Sequence, residues 1–135
     1  MRVLVCGSRG WQNYLEIHNA LKGLVIGQRW EHRPDRIIVI HGGARGADLM
    51  AHRAAEALNC PVEEYPADWD KHGRAAGPIR NKQMLDTGID LVLAFTTAWP
   101  PTPGTANMIK IAAEKMVPVR LYIDTNLTDH SRLLS

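Results

Sequence analysis

Apolar runs of strand length alternate with stretches whose apolar residues recur every three or four positions, and the alternation continues to about residue 123. Val3-Leu4-Val5-Cys6 reads as a central strand over 3 to 6, buried on both faces and ending at Gly7. Leu15, Ile17, Ala20, Leu21, Leu24 and Val25 then keep helical spacing and predict a helix over about 13 to 29, with Asn13 as its cap. A second strand over 36 to 41 leads to a helix over 44 to 58, ended by Asn59 and Pro61. A short third strand at 62 to 65 precedes a polar loop, 66 to 78, and a helix from about 79 to 87 ended by Gly88. The fourth strand, 90 to 95, opens a second long loop, 96 to 103, before a helix from Thr105 to about Lys115 and a fifth strand at 117 to 123. Such alternation implies right-handed crossovers, so the expected fold is α/β. It is one doubly wound domain over 1 to 123, of about five parallel strands with helices on both faces, followed by a polar tail over 124 to 135.

Composition adds little to that picture but closes some routes. A chain of 135 residues that is 45% hydrophobic supports one core and no second domain. The net charge of +2 does not describe a dedicated nucleic-acid binder. Cys6 and Cys60 form no CxxC pair and no secretory signal precedes the first strand, so a cytoplasmic setting is expected. No apolar run approaches the ~20 residues of a membrane helix, so no membrane partner is expected. His52 lies one turn beyond Asp48, yet no H-E-x-x-H or paired Cys/His spacing accompanies it, and no metal site is predicted.

Chemistry gathers where strands stop. Gly7-Ser8-Arg9-Gly10 stands between a strand and a helix, where glycines either shape a tight turn or let the backbone approach a phosphate that Arg9 can bind. It is not a GxGxxG fingerprint, and no acidic residue closes the second strand, which argues against nicotinamide-dependent dehydrogenase chemistry. Gly42-Gly43-Ala44-Arg45-Gly46-Ala47-Asp48 leaves backbone donors unshielded at a helix start, and Asp48 either caps that helix or meets a ligand hydroxyl. Asp68-Trp69 opens the polar loop that leads to Arg80, Asn81 and Lys82; Arg80 and Lys82 are cations that oppose the helix dipole unless an anion sits there or nearby aspartates pair with them. Gly104-Thr105 places a threonine at a cap position, where it caps, holds a phosphate, or does both. Trp11, Trp69 and Trp99 fall near strand ends, as base-stacking platforms or as loop anchors.

In combination and in order, Cys6-Gly7-Ser8-Arg9, His41 to Asp48, Pro66-Ala67-Asp68-Trp69, Ala76 to Leu85 and Gly104-Thr105-Ala106 resemble the YspA-like branch of the SLOG superfamily. The resemblance covers residues 2 to about 123 and implies a Rossmann-like domain that binds nucleotides or nucleotide-derived ligands such as ADP-ribose, often as a sensor. A related enzyme family, the cytokinin-activating phosphoribohydrolases, carries an Arg-Lys helix motif and a Pro-Gly-Gly-x-Gly-Thr-x-x-Glu motif. Arg80 resembles that arginine and Gly104-Thr105 that Gly-Thr, but the glutamate position is Met108, whose thioether cannot do a carboxylate's work. The DNA-loading protein of natural transformation is a more remote resemblance and implies single-strand binding.

The leading reading is therefore a binding or sensing module for a nucleotide-type small molecule at the carboxyl edge of the sheet. Gly7, Ser8, Arg9, Gly42, Gly43, Ala44, Gly46, Ala47, Asp48, Asp68, Trp69, Arg80, Asn81, Gly104 and Thr105 are its candidate contacts, with Trp69 or Trp11 over the base. No further cofactor is specified. The alternative is a hydrolase that cleaves an N-glycosidic or phosphate ester bond, with Arg80 steadying charge and Asp48 or Asp68 as acid or base. Single-stranded nucleic acid is a third ligand class, and a homo-oligomer is expected by analogy with such folds.

Overall fold

The computed structural model describes residues 1–30 and 36–124, so the predicted tail beyond Asp124 lies outside the described residues. Five parallel strands form a sheet: β1 (Arg2–Gly7), β2 (Ile38–His41), β3 (Val62–Glu64), β4 (Leu91–Thr96) and β5 (Val119–Ile123), in the spatial order β3-β2-β1-β4-β5. The order reverses between β1 and β4, which pair from Val3 with Leu91 to Gly7 with Phe95. Chain leaving β1 turns to one side of the sheet and chain leaving β4 to the other, so a crevice opens at their carboxyl ends.

Helices α1 (Tyr14–Trp30) and α2 (Ala47–Ala57) cover one face. There Val3, Val5, Val39, Leu93 and Phe95 meet Ile17, Leu21, Ala47, Ala51, Ala54 and Ala55. Helices α4 (Ala76–Asp86) and α5 (Pro103–Glu114) cover the other, where Leu4, Ile40 and Val92 meet Met84, Leu85, Met108 and Ala112. Burial on both faces explains why β1 and β4 are continuous apolar runs without alternation. Asn13 caps α1 as expected: its Oδ1 accepts from Glu16 N at 3.2 Å while its Nδ2 reaches back to Glu16 Oε2.

Three boundaries differ from expectation in ways that matter for the site. The polar stretch is not a loop: it holds a short helix, α3 (Trp69–His72), and a 3₁₀ turn (Gly73–Ala75), and α4 begins at Ala76. Gly77 and Pro78 lie in the first turn of α4, where a proline's missing N–H would be unsatisfied anyway. Arg80 and Lys82 therefore stand beyond that turn, and the dipole argument for them does not apply. On α5 the cap is Thr102 and the first residue Pro103, which makes Thr105 a residue of the first turn and not the cap. Helix α2 starts at Ala47, after a turn at Gly46 whose φ of 74° brings its backbone against Ser8 and Arg9.

Candidate functional site

A cleft of about 600 Å³ opens where the strand order reverses. The end of β1 supplies Cys6, Gly7, Ser8, Arg9 and Gly10, and the loop before α2 supplies Ala44, with Asp48 behind it. Trp69, Arg74, Gly77, Pro78, Arg80, Asn81 and Met84 close one side; Thr97, Thr102, Pro103, Gly104 and Thr105 close the other. Of the residues singled out in the sequence, the lining holds Gly7, Ser8, Arg9, Ala44, Asp48, Trp69, Arg80, Asn81, Gly104 and Thr105.

Gly42, Gly43, Gly46, Ala47 and Asp68 are outside it, and each has a structural task. Gly42 N and Ala44 N donate to Asp48 Oδ2 at 3.0 and 3.3 Å, Gly43 N donates to His41 Nδ1 at 2.9 Å, and Ala47 N donates to Ser8 O at 3.2 Å. The amides of Gly42, Gly43, Ala44 and Ala47 are thus spent inside the protein. Asp68 caps α3, accepting from Lys71 N at 3.1 Å, and is exposed outside the lining. Trp11 cannot cover a base: it is 1% exposed and packs edge-on against Phe95, with its Nε1 donating to Asn13 O. Trp69, 52% exposed and in the lining, is the available indole.

Donors are free at the start of α5. The Thr102 side chain makes no cap hydrogen bond, Pro103 has no N–H, and the first-turn amides of Gly104 and Thr105 have no carbonyl within the helix to bond. Thr105 is 3% exposed and lines the cleft, and its hydroxyl has no hydrogen bond among the described residues. Unsatisfied donors at a helix start favour an anion.

Around them stand guanidinium groups. Arg80 is half-buried and anchored, its Nη1 donating to Gly42 O at 2.7 Å and its Nε to Asn81 Oδ1 at 3.1 Å. Asn81 in turn donates from Nδ2 to Gly104 O and to Asn107 Oδ1, which ties Arg80 to the start of α5. Arg9 and Arg74 are exposed at the cleft and form no salt bridge among the described residues. Burial lowers the pKa of Arg80, with the Asp48 carboxylate opposing.

Asp48 is 6% exposed, and burial lifts its carboxyl to about 6 against the pull of the Ala44 and Gly42 amides and of Arg80. Burial also raises the Cys6 thiol at the cleft wall, with Asp48 adding to the effect, which disfavours its thiolate. Met108 is fully buried in the core under α5, so the position that matches the phosphoribohydrolase glutamate does not face the cleft. Among the described residues no group of His, Cys, Asp and Glu could hold a metal, and no helix is long and apolar enough to cross a membrane.

Sequence reasoning left Gly77, Pro78, Thr97 and Thr102 out of the site. Gly77 and Pro78 read as loop punctuation, and the threonines carry no local motif; only the approach of β1 to β4 brings them together.

Residues 1–72 match the model of the family described as YspA, cpYpsA-related SLOG. Gene 61 protein of Mycobacterium phage D29 is 38% identical over 124 residues, covering 87% of this chain and 93% of that protein. The X-ray structure of DNA processing protein A (DprA) from Streptococcus pneumoniae matches with a TM-score of 0.50 at 13% identity. That match covers 90% of this chain, which spans 58% of the other's length, and it shows a shared fold. With the glycine loop, Asp48 and Trp69 all inside the matched segment, the chain belongs to the YspA, cpYpsA-related SLOG family.

Proposed function

We propose that the protein binds or senses a nucleotide or nucleotide-derived ligand of the ADP-ribose type in this cleft. One observation carries the reading: the uncapped start of α5 and the unpartnered Thr105 hydroxyl lie in the same cavity as Arg9, Arg74 and Arg80. A phosphate there gains amide donors and a bidentate guanidinium together. The cavity's volume of about 600 Å³ suits a small-molecule site, and the Trp69 indole offers a stacking face at the cleft. The same reading takes the protein to act in the cytoplasm as a homo-oligomer, for which Leu121 and Ile123, exposed apolar residues of edge strand β5, are the support.

Calorimetry with ADP-ribose tests the reading. Arg80→Ala removes a charge-assisted contact of about 1.5–3 kcal/mol, so affinity should fall about tenfold to a hundredfold. Thr105→Val, which keeps shape and removes the hydroxyl, should weaken binding while leaving the fold intact. Wild-type affinity in both variants would remove the phosphate from this end of the cleft.

Asp48 supports a second reading, a hydrolase. A carboxyl held at about 6 beside Arg80 is matched to proton transfer near neutral pH. Chromatography after incubation with nucleoside monophosphates, ADP-ribose and NAD separates the two: turnover lost in Asp48→Asn favours the enzyme, and binding without product favours the module.

A further inference from the structure

A chain of hydrogen bonds runs from the glycine loop to the protein surface through two histidines. Gly43 N donates to His41 Nδ1 at 2.9 Å, His41 Nε2 lies 2.8 Å from His52 Nδ1, and His52 Nε2 lies 2.7 Å from Glu56 Oε1. A backbone N–H can only donate, so it assigns every proton in the series. His41 Nδ1 is bare and Nε2 carries the hydrogen; His52 Nδ1 must accept it, and His52 Nε2–H then donates to the carboxylate. His41 is fully buried at the end of β2, while Glu56 has a side chain 67% exposed on α2.

We propose that His41 is a positioning residue of the cleft, locked by the His52–Glu56 chain in the tautomer that holds the Gly43 amide, and that an added proton releases the loop. Two neutral imidazoles satisfy every contact. A proton placed on His41 Nδ1 faces the Gly43 N–H, donor against donor. A proton placed on His52 Nδ1 faces the His41 Nε2–H, and His41 can relieve that clash by shifting its hydrogen to Nδ1, which again meets Gly43. Protonation of the pair therefore breaks the loop contact by either route, unless the His52 ring leaves the chain. The loop matters because its Gly42 carbonyl holds Arg80 Nη1 and its Gly42 and Ala44 amides hold Asp48.

The groups around His41 set where this happens. Burial lowers its pKa most; His52 on α2 and Arg80 on α4 lower it further, and Glu64 on β3 opposes them. The loop stays closed at neutral pH and opens on acidification below the ordinary imidazole range. The consequence for ligand binding rests on the function proposed above; the coupling of His41 to Gly43 does not.

Long-range proton–nitrogen spectra of the ligand-free protein test the coupling directly. His41 should show a bare Nδ1 and a protonated Nε2 at neutral pH, and the Gly43 amide should shift on acidification with the same midpoint as the His41 ring. A hydrogen on Nδ1 at neutral pH, or a Gly43 amide indifferent to the His41 titration, overturns the proposal. Glu56→Ala, at the exposed end, leaves the fold intact and should move that midpoint to lower pH by removing a carboxylate; an unmoved midpoint also overturns it.

ADP-ribose, whose pyrophosphate keeps both charges over this range, then reports on the site. Wild-type affinity should fall by up to about tenfold per pH unit below the His41 midpoint. His41→Asn, whose Oδ1 can take the place of Nδ1 but does not titrate, should abolish the fall. Protonation of Asp48 removes a negative charge beside the anion and acts in the opposite sense, so in the variant acidification should strengthen binding. A variant that keeps the wild-type loss overturns the proposal. Absence of ADP-ribose binding at every pH counts against the ligand reading, and the spectra still decide the coupling.

Discussion

Gly42 has no side chain, and the space a Cβ would fill is taken by the Arg80 guanidinium. The two residues are one device: the arginine's plane lies where a methyl group would be, and its Nη1 donates to the Gly42 carbonyl. Gly42→Ala should therefore expel Arg80 and destabilise the fold by about 1–3 kcal/mol, as overpacking does. A urea midpoint equal to wild type would show that Arg80 has a second resting place. Asp48 makes a companion case. Its folded pKa is raised from 3.8 to about 6, so the stability it contributes is fully present below 3.8 and is lost as pH rises through 6. Asp48→Asn retains an acceptor for the Gly42 and Ala44 amides and does not titrate. Between pH 4 and 7 the wild type should lose on the order of 2–3 kcal/mol relative to that variant. Denaturant titrations at the two pH values read the difference directly, and parallel curves would deny the burial penalty.

Among elements, α2 shows how local composition decides where a cleft wall stands. Its buried face is Ala47, Ala51, Ala54 and Ala55, so the helix packs on β1 and β2 without long side chains between them. Its amino end is thereby brought against Ser8, whose carbonyl accepts from Ala47 N. Ala51→Leu, a core position at 0% exposure, should destabilise by about 1–3 kcal/mol and displace the helix start from the cleft. Thermal unfolding measures the first effect and ADP-ribose affinity the second. The strands and the order of elements were legible because β1 and β4 are buried on both faces and α1 has a clear apolar stripe. The start of α4 was not, because Gly77 and Pro78 resemble breakers, and a first turn is the one place in a helix that tolerates them. The same miscount gave Arg80 a role through the helix dipole, whereas it belongs to the cleft because α4 lies against the carboxyl end of β2 and its loop. Nothing in a linear pattern shows that Asp48 and His41 will take the amides of Gly42, Gly43 and Ala44.

At the scale of the whole molecule, charge separates a small ligand from a nucleic-acid strand. The net charge of +2 gives a weak long-range field, so attraction must come from the three guanidinium groups gathered at one cleft. A single strand held at about six phosphates would release counterions with a slope near −0.7 for each, and lose roughly two to three decades of affinity between 50 and 200 mM salt. A ligand with two charges should lose less than about tenfold over the same range. The expected result is a shallow salt dependence for ADP-ribose and, for an oligothymidylate, affinity that is weaker at every salt concentration. The fold shared with DprA does not decide between them, since a fold does not fix its ligand. The cleft's shape does bear on it: Trp69 on one side and the start of α5 on the other face a cavity of about 600 Å³, which suits a compact molecule better than a continuous track. Oligothymidylate that binds more tightly than ADP-ribose, with the steep slope, would mean that the arginines follow a backbone past the cleft, and the site would have to be redrawn along the exposed surface.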